Sequence, residues 1–369
     1  MARVAVAMSG GVDSSVAAAL MVEAGHDVVG LTMNLWPTWL PENDDALSSC
    51  CGVGAVEDAR GVAQRLGIPH YVLNMREAFE RAVIAPFASE YARGRTPNPC
   101  VACNRAIKFA LLLEKVSSLG MDYLATGHYA RVRRDGERTA LLRGLDRRKD
   151  QSYVLYALNQ PQLRRLLLPV GELPKEETRQ TARRWGLAVA DKPDSQEICF
   201  VSSGHYSDVV ARFRPESLQP GPIVDTEGRH LGAHQGVARY TIGQRRGLGV
   251  ATGKPLYVVA IDADRNTVFV GPEEDLMASE VDLEHVSWIL GRPADGVVRA
   301  TVRVRHAGAE VPAWVHNGRG VKVTFDQPQR AASPGQAACL YDGDVVLGGG
   351  VISNVRTVGA EKIDRLVAV

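Results

Sequence analysis

No stretch of this 369-residue chain approaches the length of an apolar membrane span, so a helical membrane protein is excluded. There is no internal repeat and no low-complexity tract, which removes solenoid and tail-like readings. The formal net charge is only +1, so charge as a whole marks the chain for no particular partner. Cysteine is scarce, with six residues unevenly placed, which does not suit a structural disulfide framework. In a reducing compartment such a placement points to redox, metal or nucleophilic chemistry. Near the start, Arg3 and a few small apolar residues run straight into a glycine turn. That reads as a buried first strand rather than a signal peptide, and a cytoplasmic location is expected. Apolar content of 45% and charged content of 23% describe an ordinary globular protein, long enough for two or three domains.

What is present begins with Ser9-Gly10-Gly11-Val12-Asp13-Ser14, between the apolar run Val4–Met8 and the helical pattern from Ser15. Strand, glycine turn and helix start together make a phosphate cradle. Glycine lets the backbone bend tightly and approach a ligand, and the unpaired N–H groups of the first helical turn favour an anion. Ser9, Ser14 and Ser15 add hydroxyl donors. Asp13 is out of place beside a polyphosphate unless a cation bridges them, which argues for Mg²⁺. The loop is neither G-x-x-x-x-G-K-[ST] nor G-x-G-x-x-G, so the common ATPase and dinucleotide fingerprints do not apply. The plain alternative is a serine-glycine turn capping an ordinary helix. The pattern resembles the loop of the N-type ATP pyrophosphatases, which cleave ATP between its α and β phosphates and adenylate a substrate.

Around that loop the first 200 residues alternate strand and helix signals. Apolar runs at 3–8, 28–33, 69–74 and 121–126 predict buried parallel strands. Helical patterns fill 14–24, 54–66, 76–93 and 104–119, with Gly25, Gly67 and Gly120 at C-cap positions. The expected fold is a doubly wound α/β domain with its ligand at the carboxyl ends of the strands, where Asp13, Met33 and Gly127-His128 fall. A hairpin is expected at Asp135-Gly136, followed by helical stretches near 160–168 and 175–186. Residues 131–184 hold fourteen Lys/Arg against seven Asp/Glu, which is either a solvated face or the footprint of a phosphate backbone. Past Gly204, helical periodicity largely gives way to alternating runs such as 256–261 and 268–270, with turns at Asn317-Gly318, Pro334-Gly335 and Asp342-Gly343. These predict a small central α+β domain and a β-barrel, with domains at 1–205, 206–280 and 281–369.

Cys100-x-x-Cys103 follows Thr96-Pro97-Asn98-Pro99, an extended stiff approach, and Cys103 is expected at the start of the following helix, where its thiolate would be stabilised. Cys199 closes the polar run Asp194-Ser195-Gln196-Glu197 and is expected near a surface. Cys339, in an apolar strand, reads as core, and Cys50-Cys51 are either loop residues or metal ligands. Two thiols in an adenylating enzyme have a direct use: a persulfide on one delivers sulfur to an activated carbon, and the other resolves the S–S bond.

The SGGVDS loop, TPNPCVACNRAIKF, ATGHYAR, KDQSYVL, DSQEICF, YTIGQRRGLG and SPGQ occur in order from residue 7 to about 340. With them the chain resembles the tRNA-specific 2-thiouridylases (the MnmA/TrmU family) of the N-type ATP pyrophosphatase superfamily. The resemblance implies ATP-dependent replacement of the 2-oxygen of the wobble uridine by sulfur in the tRNAs for Lys, Glu and Gln. The sulfur would come from a cysteine desulfurase or a relay protein. By the same resemblance Ala7, Met8, Ser9, Gly10, Gly11, Val12, Asp13, Ser14, Met33 and Gly127 match ATP-binding positions. Cys103 matches the nucleophile and Cys199 the persulfide carrier, the pair that forms a disulfide between turnovers. Asn98, Pro99 and Cys100 match the stretch that meets the target base. His128, Lys149-Asp150-Gln151, Arg305-His306 and Gln336 match positions that touch tRNA. Lys149 and Arg305 suit phosphate, while Gln151 and Gln336 suit bases or sugars. For Lys149–Gln151 the plain alternative is an exposed polar turn, and for His128 a satisfied loop histidine.

Two positions depart from the family pattern. Many members carry Asp where this chain has Cys100, and an Arg-Tyr pair is common where it has Arg305-His306. With Cys100, Cys103 and Cys199, three thiolates are available to hold an iron–sulfur cluster with one iron open, so persulfide transfer and cluster-borne sulfur are both carried forward. Two further readings stand beside them. One is an amidating ligase of the same loop class, which needs no thiols. The other is a tRNA-binding or ATP-sensing module without catalysis, against which an intact Asp13, Cys103 and Cys199 speak.

Overall fold

The computed structural model describes all residues except 41–52, 195–197, 202–204, 251–252, 292–295, 307 and 368–369. Cys50, Cys51 and the Ser195-Gln196-Glu197 run therefore lie outside the described residues. The chain forms two compact units. One comprises Met1–Val83, Cys100–Gly204 and Asp344–Val346; the other comprises Ile84–Pro99, His205–Gly343 and Leu347–Val369.

The first unit is built on a parallel sheet. Its strands are β1 (Arg3–Ala7), β2 (Asp27–Asn34), β3 (His70–Asn74) and β4 (Tyr123–Thr126). They lie in the order β3-β2-β1-β4, and every pairing is parallel. Val4, Ala5 and Val6 are fully buried, as expected of strands covered on both faces. The helix α1 (Val12–Glu23) is buried on nearly every face, with Val16–Ala19 inaccessible, so its apolar run carries no amphipathic stripe. The helix α2 (Val53–Leu66) adds Ala59, Val62 and Ala63 to the same core.

The antiparallel hairpin expected at Asp135-Gly136 is present as β5 (Ala130–Asp135) and β6 (Arg138–Arg143). The helical stretch expected near 160–168 is shorter, running Gln160–Arg164 behind an Asn159–Gln162 capping box. Leu166–Leu167 then turn into a short strand, β7, which pairs parallel with β4 and buries Leu166 completely. Edge pairing with the sheet outweighed helical periodicity there. The stretch expected at 175–186 is the helix Lys175–Arg184.

In the second unit the helices Ala85–Ala92 and Tyr206–Phe213 meet through the Tyr91 and Tyr206 rings, with centroids 4.4 Å apart. A four-stranded sheet follows, made of β8 (Gly221–Asp225), β9 (His230–His234), β10 (Tyr257–Asp262) and β11 (Thr267–Gly271), in the order β10-β11-β8-β9. Six strands then close a barrel: β12 (Met277–Trp288), β13 (Gly296–Arg303), β14 (Val311–Asn317), β15 (Val321–Arg330), β16 (Ala337–Asp342) and β17 (Val345–Thr357). Their order is β12-β15-β14-β13-β16-β17, with β17 pairing back onto β12. Alternation along β14 (exposed Trp314 and His316, buried Ala313 and Val315) fills the barrel with one face of each strand. Cys339 is fully buried there, as core. Two helices, Tyr206–Phe213 and Val358–Val367, lie in the part of the chain where sequence periodicity indicated mostly strands.

Candidate active site

The ordering of the parallel sheet creates the site. The chain moves outward from β1 to β2 and β3, then returns to lay β4 on the other side of β1. Ligands of open α/β sheets bind at such a reversal, outside the carboxyl ends of the strands. In register, Ala7 faces Leu31 on one side and Thr126 on the other. The end of β1, Met33 at the end of β2 and Gly127 just past β4 therefore gather at one edge.

The turn at this edge is set by close approaches. Gly10 has φ +66°, and a Cβ there would lie 2.4 Å from the Ala55 carbonyl oxygen. At Gly127 a Cβ would come within 2.5 Å of the Ser14 nitrogen and 2.6 Å of the Asp13 carbonyl carbon. Glycine at both positions lets α2 and the β4 turn close on the loop from opposite sides. Gly11 is the N-cap of α1 and supplies no side-chain cap, so the first-turn N–H groups have no side-chain acceptor there. Met8, Val12 and Ser14 are buried, while Ala7, Ser9, Gly11, Asp13 and Met33 are half-buried. Ser14 ties the turn together: its Oγ accepts from the Ser9 N–H at 3.1 Å, donates to the Gly11 carbonyl at 3.1 Å and lies 3.2 Å from Ser9 Oγ.

Asp13 sits in a network that sequence reasoning missed. The Tyr129 hydroxyl donates to Asp13 Oδ1 at 2.8 Å, and Lys175 Nζ donates to the same oxygen at 2.7 Å. Lys175 Nζ is also 2.7 Å from Asp194 Oδ1, so one largely buried ammonium joins the phosphate loop to the start of the Cys199 segment. Asp194 is held further by Lys149 at 2.9 Å and Arg179 at 3.2 Å. Burial would raise the Asp194 pKa, but the Lys175 and Lys149 hydrogen bonds outweigh it, and the carboxyl is held below its ordinary value. The Tyr129 hydroxyl is pushed up, first by burial and then by the Asp13 carboxylate, so it remains a donor. Lys192 Nζ binds Asp58 at 2.6 Å and the Gly10 carbonyl at 3.4 Å. Two ammonium groups, Lys175 and Lys192, thus reach the loop itself, Lys149 and Arg179 stand behind them on Asp194, and the α1 N-terminus adds to the positive side. Asp194 belonged to a recognised sequence motif and Tyr129 to another; Lys175 opens a helix and carried no signal.

The cysteines are placed as follows. Cys199 is half-buried on a turn closed by Val201 N–H donating to the Ile198 carbonyl at 2.9 Å. Its neighbour Phe200 is buried edge-on to Phe79, with centroids 5.8 Å apart, which anchors the turn. Cys103 is half-buried and Cys100 exposed. The helix begins at Pro99, not at Cys103. Proline is suited to a first helical position because it has no N–H to satisfy. Cys100 therefore occupies the first turn, where stabilisation of a thiolate is strongest, and Cys103 lies a turn further in. After Cys103 the segment Asn104–Leu112 winds as a π-helix, a feature no sequence period announced. Buried Asn104 donates to the Val154 carbonyl at 3.1 Å and locks it in place. Among the described residues no group of three His, Cys, Asp or Glu side chains converges to hold a metal ion. The donor set formed by Cys100, Cys103 and Cys199 does not fit an iron–sulfur cluster, which needs its thiolates gathered around one centre.

Positions matched to tRNA contact are distributed over both units. His128 is half-buried, its Nδ1 lies 2.8 Å from Thr126 Oγ1, and its ring lies 5.7 Å from that of Phe109. Burial, with the Lys108 charge, lowers its pKa well below the usual value, so it is neutral at pH 7. Asp150 is buried; its carboxylate accepts from Gly144 at 3.0 Å, from Ser152 N–H at 3.1 Å and from Ser152 Oγ at 2.9 Å. Gln151 Oε1 accepts from the Tyr129 N–H at 3.0 Å. In the second unit Asn98 and Gln336 are half-buried, Pro99 is buried and His306 is exposed. Arg305 donates to the Ala331 carbonyl.

Fold and loop together define a class: an α/β domain built to hold a phosphate-bearing ligand at the switch point of its sheet, followed by a small sheet and a closed β-barrel. Family descriptions match in the same order. A "tRNA methyl transferase HUP domain" matches residues 2–203, a "tRNA methyl transferase PRC-barrel domain" 207–272, and an "aminomethyltransferase beta-barrel domain" 278–352. The tRNA-specific 2-thiouridylase MnmA of Moorella thermoacetica is 52% identical over 357 residues, covering 96% of this chain and all of that one. Its counterpart in Roseiflexus sp. is 50% identical over 376 residues, with 96% and 100% covered. Likeness to a solved 4-thiouridine synthetase–RNA complex with bound ATP is slight, at TM-score 0.35 and 16% identity over 58% of this chain and 51% of that one. The chain belongs to the tRNA-specific 2-thiouridylase family.

Proposed function

We propose that this enzyme replaces the 2-oxygen of the wobble uridine in tRNA with sulfur at the expense of ATP, acting in the cytoplasm on the acceptors for Lys, Glu and Gln. The observation that carries the reading is the connection, through Lys175, of the phosphate-cradling loop at Asp13 to the segment leading into Cys199. One ion-pair network spans the phosphate loop and Asp194, five residues before Cys199 along the chain.

The chemistry follows from the residues. ATP lies with its phosphates against the Gly10-Gly11 turn and the first-turn N–H groups of α1. Met33 and Gly127 sit beside it at the same edge. The uridine 2-oxygen attacks the α-phosphorus and pyrophosphate leaves. Asp13, with the substrate phosphates, would hold a Mg²⁺ ion, which favours carboxylate, phosphate and water oxygens. Such an ion would offset charge on the leaving pyrophosphate. A wobble base reaches a buried centre only when splayed from its loop; Asn98, Pro99 and Cys100 receive it. The terminal sulfur of a persulfide on Cys199, loaded by a cysteine desulfurase or relay protein, then reaches carbon 2. Cys103 attacks the inner sulfur, so the S–S bond to the terminal sulfur breaks and a Cys103–Cys199 disulfide forms. The terminal sulfur keeps the bonding pair, AMP departs with the former 2-oxygen, and a thiol reductant reopens the disulfide. No step passes through an iron–sulfur cluster. In this reading the chain works as three domains, 1–205, 206–280 and 281–369, with the chemistry in the first.

Two of the family descriptions speak of methyl transfer and the third of aminomethyl transfer, whereas the curated relatives are named for thiolation. Two thiols beside an ATP-type loop favour sulfur, since methyl transfer from an activated donor needs no adenylation of the base. The test is incubation with ATP, cysteine, a desulfurase and unmodified tRNA, followed by nucleoside mass spectrometry. The expected product is 2-thiouridine, formed equally without iron; a methylated nucleoside or no new nucleoside would sink the reading. Cys199→Ser is expected to retain pyrophosphate release and lose thiouridine; full turnover in that variant with an aminated rather than a thiolated product would favour an amidating ligase.

A further inference from the structure

The YTIGQRRGLG run lies far from the phosphate loop in sequence and takes no part in the chemistry above. It falls within the longest acid-free stretch of the chain: no Asp or Glu occurs between Glu227 and Asp262, while Arg229, Arg239, Arg245, Arg246 and Lys254 do. In the structure this run is a built loop rather than a loose one. The Gly243 N–H donates to the Val258 carbonyl at 2.8 Å and Val258 N–H returns to Gln244 at 2.9 Å, which pins the loop to β10. The Gln244 side chain accepts from the Thr241 N–H at 3.1 Å and donates to the Arg246 carbonyl at 3.0 Å, bracing the turn from within. Leu248 is buried in the core of the small sheet beside Tyr240 and Val258.

What this scaffold presents outward is cationic. Arg245, Arg246 and Lys254 are exposed, and among the described residues neither arginine stands within ion-pair distance of a carboxylate. The contrast is with solvent-facing arginines such as Arg229, which is paired with Asp225. An open pocket runs between Arg245, Gly247, Gly249 and Lys254. Gly247 and Gly249 have φ +75° and +70°, and a Cβ on Gly249 would meet nothing within 4 Å. Those glycines serve the backbone turn, and both are exposed. At the loop's base, a Cβ on Gly243 would lie 3.6 Å from Arg305 Nη2. Arg305, a position matched to tRNA contact, therefore lies beside the base of the loop.

We infer that the loop Gly243–Val250, together with Lys254, is a binding site for the phosphodiester backbone of the tRNA, additional to the positions the family resemblance supplies. The inference rests on the reading of tRNA as substrate. Forked guanidinium donors, a flexible ammonium and bare peptide N–H groups are the usual phosphate ligands. A protein partner would want exposed apolar anchors; here Leu248 is buried, and Val250 and Leu256, which also line the pocket, are packed against the same core.

The test is titration of unmodified tRNA against the full-length protein over a range of salt concentrations. Arg245→Glu with Arg246→Glu is expected to raise the Kd about tenfold or more, and to flatten the log Kd–log salt slope by roughly 0.7 to 0.9 for each phosphate that is no longer neutralised. Arg245→Lys with Arg246→Lys is expected to restore most of the affinity. Should charge reversal disturb folding, Arg245→Gln with Arg246→Gln carries the same prediction for the slope. An unchanged Kd and slope in a parent that binds and thiolates tRNA would overturn this inference alone. A parent that binds no tRNA would overturn it together with the substrate reading. Unchanged tRNA binding with slower sulfur delivery from a cysteine desulfurase would overturn it in favour of an acidic donor protein.

Discussion

Lys175 shows how much a single residue does at this site. Its ammonium holds two carboxylates that would otherwise repel, and one of them belongs to the phosphate loop. Removing one member of a buried charge group leaves the others uncompensated. Lys175→Met is therefore expected to cost about 1–3 kcal/mol of stability in urea unfolding, the lower part of the range because both carboxylates are partly solvated. The same variant should lower ATP-dependent pyrophosphate release on tRNA by about tenfold or more; unchanged release would show Lys175 to be structural only. Gly127→Ala tests the close approach behind the loop. Its methyl group would press on the Ser14 and Asp13 backbone. The KM for ATP is expected to rise by at least about tenfold, and an unaltered KM would show that the loop gives way. The glycines and Asp13 were readable as a local pattern. Lys175 was not, because its partners lie 162 and 19 residues away along the chain and only packing brings them to it.

Individual elements account for the differences in the cysteine region. The approach Thr96–Pro99 reads as stiff and extended, yet Pro99 already begins the helix. The helix start favours the thiolate of Cys100 more than that of Cys103, and exposure favours the same residue. Alkylation at neutral pH, resolved by mass spectrometry, is expected to label Cys100 at least about tenfold faster than Cys339, which is sealed in the barrel. Equal rates would contradict the placement. The strands β1 to β4 were legible from their apolar runs, because a strand buried on both faces needs continuous hydrophobicity. The π-helix Asn104–Leu112 and the short strand β7 were not. Each depends on a neighbour: the Phe109 carbonyl accepts from Gln162 Nε2 at 2.7 Å, and β7 exists because β4 offers it an edge.

At the scale of the whole molecule, among the described residues, His70, His128 and His234 are held towards the neutral form. All three have pKa values lowered from 6.5, each first by burial. A folded-state pKa below the unfolded one means that the unfolded chain binds the proton more readily. The stability these groups contribute is present above pH 6.5 and is lost as the pH falls from there towards the folded values. The thermal midpoint is expected to be flat between about pH 7 and 8 and to fall below about 6.5. Two of the three histidines lie in the first unit, whose transition should be the more acid-sensitive. His128→Gln should flatten that acid limb, and an unaltered limb would remove His128 from the account.

The sequence by itself determined the chemistry-bearing groups and the fold class. The glycine turn, the alternating strand and helix signals and the spaced cysteines are local patterns, and local backbone preference with hydrophobic period is enough to read them. Only the tertiary structure decided which charges meet. It set Lys175 between Asp13 and Asp194, turned the Asp150 carboxylate inward, and left Arg245 and Arg246 facing solvent. Charge pairing depends on distances of a few ångströms between residues far apart along the chain, and no period or motif encodes those distances.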